Sequence, residues 1–271
     1  MTTSAQGAAT DRDGAPSFAP GTFAPRPRPA GAAAKMAAAA AFELRIVLRN
    51  GEQLLLALVL PLAALFGGVY VTVVSLPEPR LNAVVPGVLA LAALSTAFTS
   101  QAIVTGFDRR YGVLRRLAAA GWSRWQLLGG KTLATAAVLA GQYVVLGGVA
   151  LALGWRPVGS PFWVLLVTIL GLAALLGLAL LVGGTLRAEA TLAVANLGWL
   201  VLIAVGGLIV PLSSSPAWLA TLGAFTPSGA LCQGLRDVLQ DGTAPSAMSL
   251  LVLAAWTVLG WAATVRWFRW L

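Results

Sequence analysis

Cationic side chains gather most densely in one stretch, FDRRYGVLRRLAAAGWSRWQLLGGKTL, from Phe107 to Leu133. Arg109, Arg110, Arg115 and Arg116 flank a narrow apolar stripe of Tyr111, Leu114 and Ala118. Asp108 precedes them, Gly112 separates the two arginine pairs, and Arg124 follows. Guanidinium groups spaced this way offer planar, permanently charged donors to carboxylates, carbonyls or phosphates. Gly121 is placed to break a helix, and Trp122 and Trp125 suit a membrane interface. On composition alone the segment also reads as a basic loop that fixes topology and touches anionic lipid.

The end of the segment, Gly130-Lys131-Thr132, imitates the close of a phosphate-binding loop, G-x-x-x-x-G-K-[ST]. The first glycine of that pattern falls on Trp125, and no strand precedes it. Nucleotide binding by this chain is therefore not expected, and Lys131 reads as a snorkelling anchor at the start of an apolar run. Catalysis and metal binding lack their usual parts. The chain has no histidine and one cysteine, Cys232, which excludes an internal disulfide, two-cysteine metal motifs and histidine acid–base work. No catalytic residue and no metal ligand is assigned.

A second polar group lies inside apolar sequence. Ser95, Thr96, Thr99 and Ser100 cover less than half the circumference of one helix, and Gln142 and Asn196 are amides well inside two others. Such groups bond their own backbone or bridge neighbouring helices; the alternative is that they face a path through the molecule.

The elements that must position these residues are apolar helices. Of 271 residues, 58% are hydrophobic and 10% charged, where a soluble domain carries roughly 25% charged residues. Six stretches reach the roughly 20 apolar residues a span requires: Leu54–Ser75, Ala83–Gly106, Thr132–Leu153, Phe162–Gly184, Thr191–Leu212 and Met248–Val265. None contains Asp, Glu, Lys or Arg. The expected fold is thus an all-α integral membrane protein with six transmembrane helices.

Loop charges orient it. The first 53 residues carry six cations, Asp108–Lys131 another six, and Arg187, Arg266 and Arg269 fall on the same side. Only Arg80, Arg156 and Arg236 of the 18 cations fall opposite, so both termini are expected in the cytoplasm. The same one-sidedness argues against nucleic acid as a partner and for membrane lipid. The bias to Arg over Lys suggests a GC-rich bacterial genome and hence a bacterial cytoplasmic membrane.

Residues 1–35, rich in Pro, Ala and Gly, read as a disordered cytoplasmic tail, with Met36 an alternative start and 36–271 the transmembrane domain. Ala37–Gln53 reads as an amphipathic helix lying in the interface plane, with Leu44, Val47 and Leu48 on one face and Arg45, Arg49 and Glu52 on another. Between the fifth and sixth stretches, Trp218, Leu219, Leu222 and Phe225 cluster. A helix then opens at Ser228 as N-cap, with Leu231, Leu235, Val238 and Leu239 on one face, and ends at Asp241-Gly242. Helices this apolar outside a span are expected to dip into the outer leaflet as a re-entrant segment.

The loop resembles that of type-2 ABC exporter permeases, the group that includes daunorubicin-resistance and polysaccharide-export permeases. The matching positions are Asp108, Arg109, Arg110, Gly112, Leu114, Leu117, Ser123-Arg124-Trp125 and Gly130-Lys131. Asp108 stands where the family usually has Glu, and Gly121 where it has Pro. The interface helix, six spans and apolar dip before the sixth fit the same plan. The resemblance implies a coupling helix, with Asp108, Arg109, Arg110, Gly112, Leu114, Arg115, Arg116 and Arg124 as ATPase-coupling residues docking on a separate ATPase subunit. It implies a second permease copy, identical or a sister chain. It places ATP and Mg on the partner ATPase, with no cofactor bound by this chain. Cargo would be an amphiphilic, drug-like or lipid-linked molecule moved outward past Ser95, Thr96, Thr99, Ser100, Gln142 and Asn196. An ATP-independent channel or secondary carrier is the competing class, and one that would place ionisable groups in its spans.

Overall fold

A computed structural model describes residues 31–49, 51–71 and 78–268. Every regular element among them is helical. The helices are α1 (Ala32–Arg49), α2 (Gly51–Tyr70), α3 (Arg80–Ala93), α4 (Gln101–Arg110), α5 (Val113–Ala119), α6 (Arg124–Ala152), α7 (Pro161–Thr185), α8 (Ala188–Val205), α9 (Ala217–Ala224), α10 (Pro227–Leu239) and α11 (Ala247–Trp267). A π-helical segment, Leu94–Ser100, joins α3 to α4 without a break.

Five rods are long and apolar enough to cross a bilayer: Arg80–Arg110, α6, α7, α8 and α11. The 29 residues of α6 span about 44 Å at 1.5 Å per residue, more than the ~30 Å of hydrocarbon. A sixth apolar helix, described over Ala57–Tyr70, is shorter. The end of the expected first span, residues 72–75, lies outside the described residues.

The Arg80–Arg110 rod is the axis of the bundle, and its most apolar window is 83% buried. Its small residues, Gly87, Ala90, Ala92 and Ala93, are all buried, and the rod's first helix packs against α2, α6 and α10. Between apolar helices in lipid there is little hydrophobic drive, so close backbone approach supplies the packing. The α7–α11 pair shows this most clearly. A Cβ on Gly177 would stand 3.1 Å from the Gly260 carbonyl carbon, so the two backbones touch where both residues are glycine.

Four sequence expectations change. The fifth span ends at Val205 rather than Leu212, because Gly206 closes α8 and Gly207 turns the chain left-handed at φ 66°, a conformation a Cβ disfavours. The Leu208 amide then bonds back to the Ile203 carbonyl, 3.4 Å away, and the segment folds over α3. The helix α1 begins at Ala32, inside the stretch expected as tail, and packs along α6. Thr226, not Ser228, caps α10: its hydroxyl accepts from the Gly229 amide at 3.0 Å, while the Ser228 hydroxyl donates to the Leu202 carbonyl at 2.8 Å. Lastly, Lys131 falls inside α6 and does not snorkel.

Helix α10 is enclosed by α3, α7 and α11. Leu231, Leu235, Val238 and Leu239 are all buried, as the spacing predicts, and so are Arg236 and Asp237. Asp237 organises the following turn by accepting from Gln233 Nε2 and the Ser246 amide, both at 2.8 Å.

Candidate functional site

The basic segment resolves into three pieces. Arg109 and Arg110 sit on the last turn of α4, Arg115 and Arg116 on α5, and Arg124 on the first turn of α6. Gly112, left-handed at φ 70°, makes the corner between α4 and α5. Gly121 closes α5 in a double turn: the Trp122 amide bonds the Leu117 carbonyl at 3.1 Å and the Gly121 amide the Ala118 carbonyl at 3.0 Å, the Schellman arrangement. Ser123 then opens α6 with a capping box, exchanging bonds with Gln126 in both directions.

Helix α5 is fixed through its underside. Leu114 is buried with Leu127 of α6 and Phe268 at the end of α11, and Leu117 packs on them. Arg115, Arg116 and Ala118 are left on the exposed face. Tyr111 is exposed too and stacks on Phe107, so of the expected apolar stripe only Leu114 is buried.

Besides Leu114, three charged residues of the expected coupling set are engaged inside the chain. The Arg109 guanidinium donates to the carbonyls of Gly184 and Leu186 at the end of α7, where helical carbonyls lack partners and the dipole favours a cation. Arg110 pairs with Glu189 across an exposed gap, a contact of the kind that contributes little to stability. Asp108 accepts from Lys131 Nζ at 2.8 Å, and so does Glu43 of α1, also at 2.8 Å.

That Lys131 cluster joins three elements, α1, α4 and α6. Lys131 is 1% exposed and each carboxylate 26% exposed. A buried ammonium is tolerated only with such partners, and here two carboxylates serve one cation. Gly130 allows it: a Cβ there would stand 2.6 Å from the Ala39 Cβ, so α1 lies directly on α6. Glu43 carries no local signal in the sequence; it is one acidic residue in a basic amphipathic helix.

The second polar set converges. Ser95, Thr96, Thr99, Ser100 and Asn196 line one cavity of about 460 Å³, together with Glu43, Gln101, Thr135 and Trp199. Gln142 stands behind it, accepting from the Thr96 hydroxyl at 2.7 Å and donating to the Ala57 carbonyl at 3.1 Å. Ser95 accepts from the Trp199 indole at 3.0 Å. The π-helical turn carries all four hydroxyl residues, and such turns recur at functional sites. Gln101 escapes the sequence reading because it closes the hydroxyl run without lying deep in the apolar stretch.

A bundle of long apolar helices, with an arginine-faced helix at one end and a polar-lined cavity in its body, defines a multi-pass membrane protein built for transport. The model of the ABC-2 family transporter proteins matches residues 69–266, most of the chain, and the chain belongs to that family. It is the permease of an ABC transporter, a transport subunit rather than a catalytic one. No curated protein matches it.

Proposed function

We propose that this permease exports an amphiphilic, drug-like or lipid-linked molecule, driven by a separate ATPase subunit that docks on α5. The supporting observation is the way α5 is mounted: Leu114 and Phe268 hold its underside while Arg115 and Arg116 stand free on the opposite face. In this reading Arg115, Arg116 and Arg124 offer guanidinium donors to carboxylates or carbonyls of the ATPase. Asp108, Arg109 and Arg110 act one step further in, tying the end of α4 to α6, α7 and Glu189. A push on α5 then passes through the Gly112 corner into α4 and the π-helical turn that lines the cavity. Six spans including α2, a re-entrant α9–α10, cytoplasmic termini in a bacterial inner membrane, and a second permease copy complete the reading. ATP and Mg are held by the ATPase.

Affinity purification of the chain with its ATPase in mild detergent tests this. Arg115→Glu with Arg116→Glu should leave insertion and thermal stability unchanged and abolish both co-purification and stimulated ATP turnover. Stimulated turnover that survives the double reversal would refute docking on α5.

A further inference from the structure

The cavity lined by the hydroxyl run continues toward the cytosolic end. A second cavity, of about 580 Å³, lies between α1, α4, α5 and the start of α6 and shares Glu43, Val47, Ser100 and Gln101 with the first. Phe42, Ile46, Val104 and Trp122 give it apolar walls. Its polar groups are one-sided. Glu43, Asp108 and Lys131 all line it, and two carboxylates sharing one ammonium leave a net charge of −1. Neither neighbouring arginine lines this cavity: Arg109 directs its guanidinium to the Gly184 and Leu186 carbonyls at the end of α7, and Arg110 pairs with Glu189.

Two further buried polar atoms in the lining also lack a partner. Gln101 is 8% exposed, lines both cavities, and its carboxamide oxygen has no hydrogen-bond partner. The Thr99 hydroxyl oxygen is buried and equally without one. A buried acceptor in that state favours any ligand that brings an N–H, and a net negative cluster in a low-dielectric wall favours one that is cationic. Volumes of this size suit a small ligand with an apolar body.

We propose that the joined cavity between α1, the π-helical turn and α6 binds an amphiphilic cation, its ammonium beside the Glu43–Lys131–Asp108 cluster and Gln101 and its apolar body against Phe42, Ile46 and Trp122. This rests on the transport reading and deepens it by giving the cargo a charge.

The test uses the purified full chain in phosphatidylcholine nanodiscs, with empty discs as the blank and no ATPase present. Dansylcadaverine carries a primary ammonium on an apolar fluorophore, and its N-acetyl derivative is neutral. Trp199 and Trp122 line the cavities and serve as energy-transfer donors to the dansyl group. Saturable transfer is expected for the amine, with the acetylated form bound about tenfold more weakly or worse. Glu43→Gln, which neutralises the cluster, should weaken the amine about tenfold and leave the acetylated form unchanged. Gln101→Leu leaves the ion cluster intact and should weaken the amine several-fold, which keeps the idea exposed if Glu43→Gln fails to fold. Equal binding of the two probes, or amine binding indifferent to Gln101→Leu, overturns the proposal. Either result leaves the export reading standing, because that reading is decided by ATPase coupling through Arg115 and Arg116.

Discussion

Lys131→Met is the most informative single change. It removes the ammonium that Glu43 and Asp108 share at 2.8 Å each and leaves two carboxylates facing each other beside a methionine. Breaking a buried ion pair from one side costs about 3–5 kcal/mol. Both carboxylates are 26% exposed, so water recovers part of their solvation and a loss of about 2–3 kcal/mol is the better expectation. Glu43→Gln takes away only the surplus carboxylate and leaves the Lys131–Asp108 pair, so its loss should stay near 1 kcal/mol. The triple change Lys131→Met, Glu43→Gln, Asp108→Asn removes every charge and should recover most of the stability that Lys131→Met loses. Unfolding of the detergent-solubilised protein, followed by tryptophan fluorescence, gives the ranking. If Lys131→Met is no worse than Glu43→Gln, or the triple variant is no better than Lys131→Met, the cluster does not hold α1 and α4 to α6.

Gly87→Ala should abolish stable expression, because the added Cβ would stand 2.1 Å from the Leu208 carbonyl oxygen; the yield of monodisperse protein measures it. Ser123→Ala, which deletes the capping box of α6, should lower stability by about 1 kcal/mol, read as a fall in the unfolding midpoint. Cys232 is wholly buried; burial pushes its thiol above the ordinary range while Arg236 opposes the shift. Maleimide should therefore leave the folded protein unlabelled and react only after denaturation. On that silent background, cysteines introduced at Arg116 and Asp241 should label from opposite faces of the membrane, and labelling from one face would refute the proposed topology.

Much of this molecule is legible in one dimension. Uncharged apolar runs show where long helices form, because lipid-facing and helix-facing surfaces alike exclude charge. Gly112, Gly121 and Ser123 announce the corner, the end and the new start around α5, because left-handed turns and caps are local matters. The hydroxyl run Ser95–Ser100 signals a polar face for the same reason.

What the chain could not declare locally is which charges meet. Lys131 finds Glu43 and Asp108 across 88 and 23 residues, and only the seating of α1 on Gly130 makes that contact. Arg109 looks free in sequence and turns out to cap α7, since its partners are backbone carbonyls, which every residue has and no residue type advertises. Gln101 acquires its role from two cavities that exist only once α1, α4 and α6 are packed. Residue type and spacing determine where helices and cations fall along the chain; tertiary packing decides which cations remain exposed and where a buried cavity carries charge, because those depend on which distant surfaces close together.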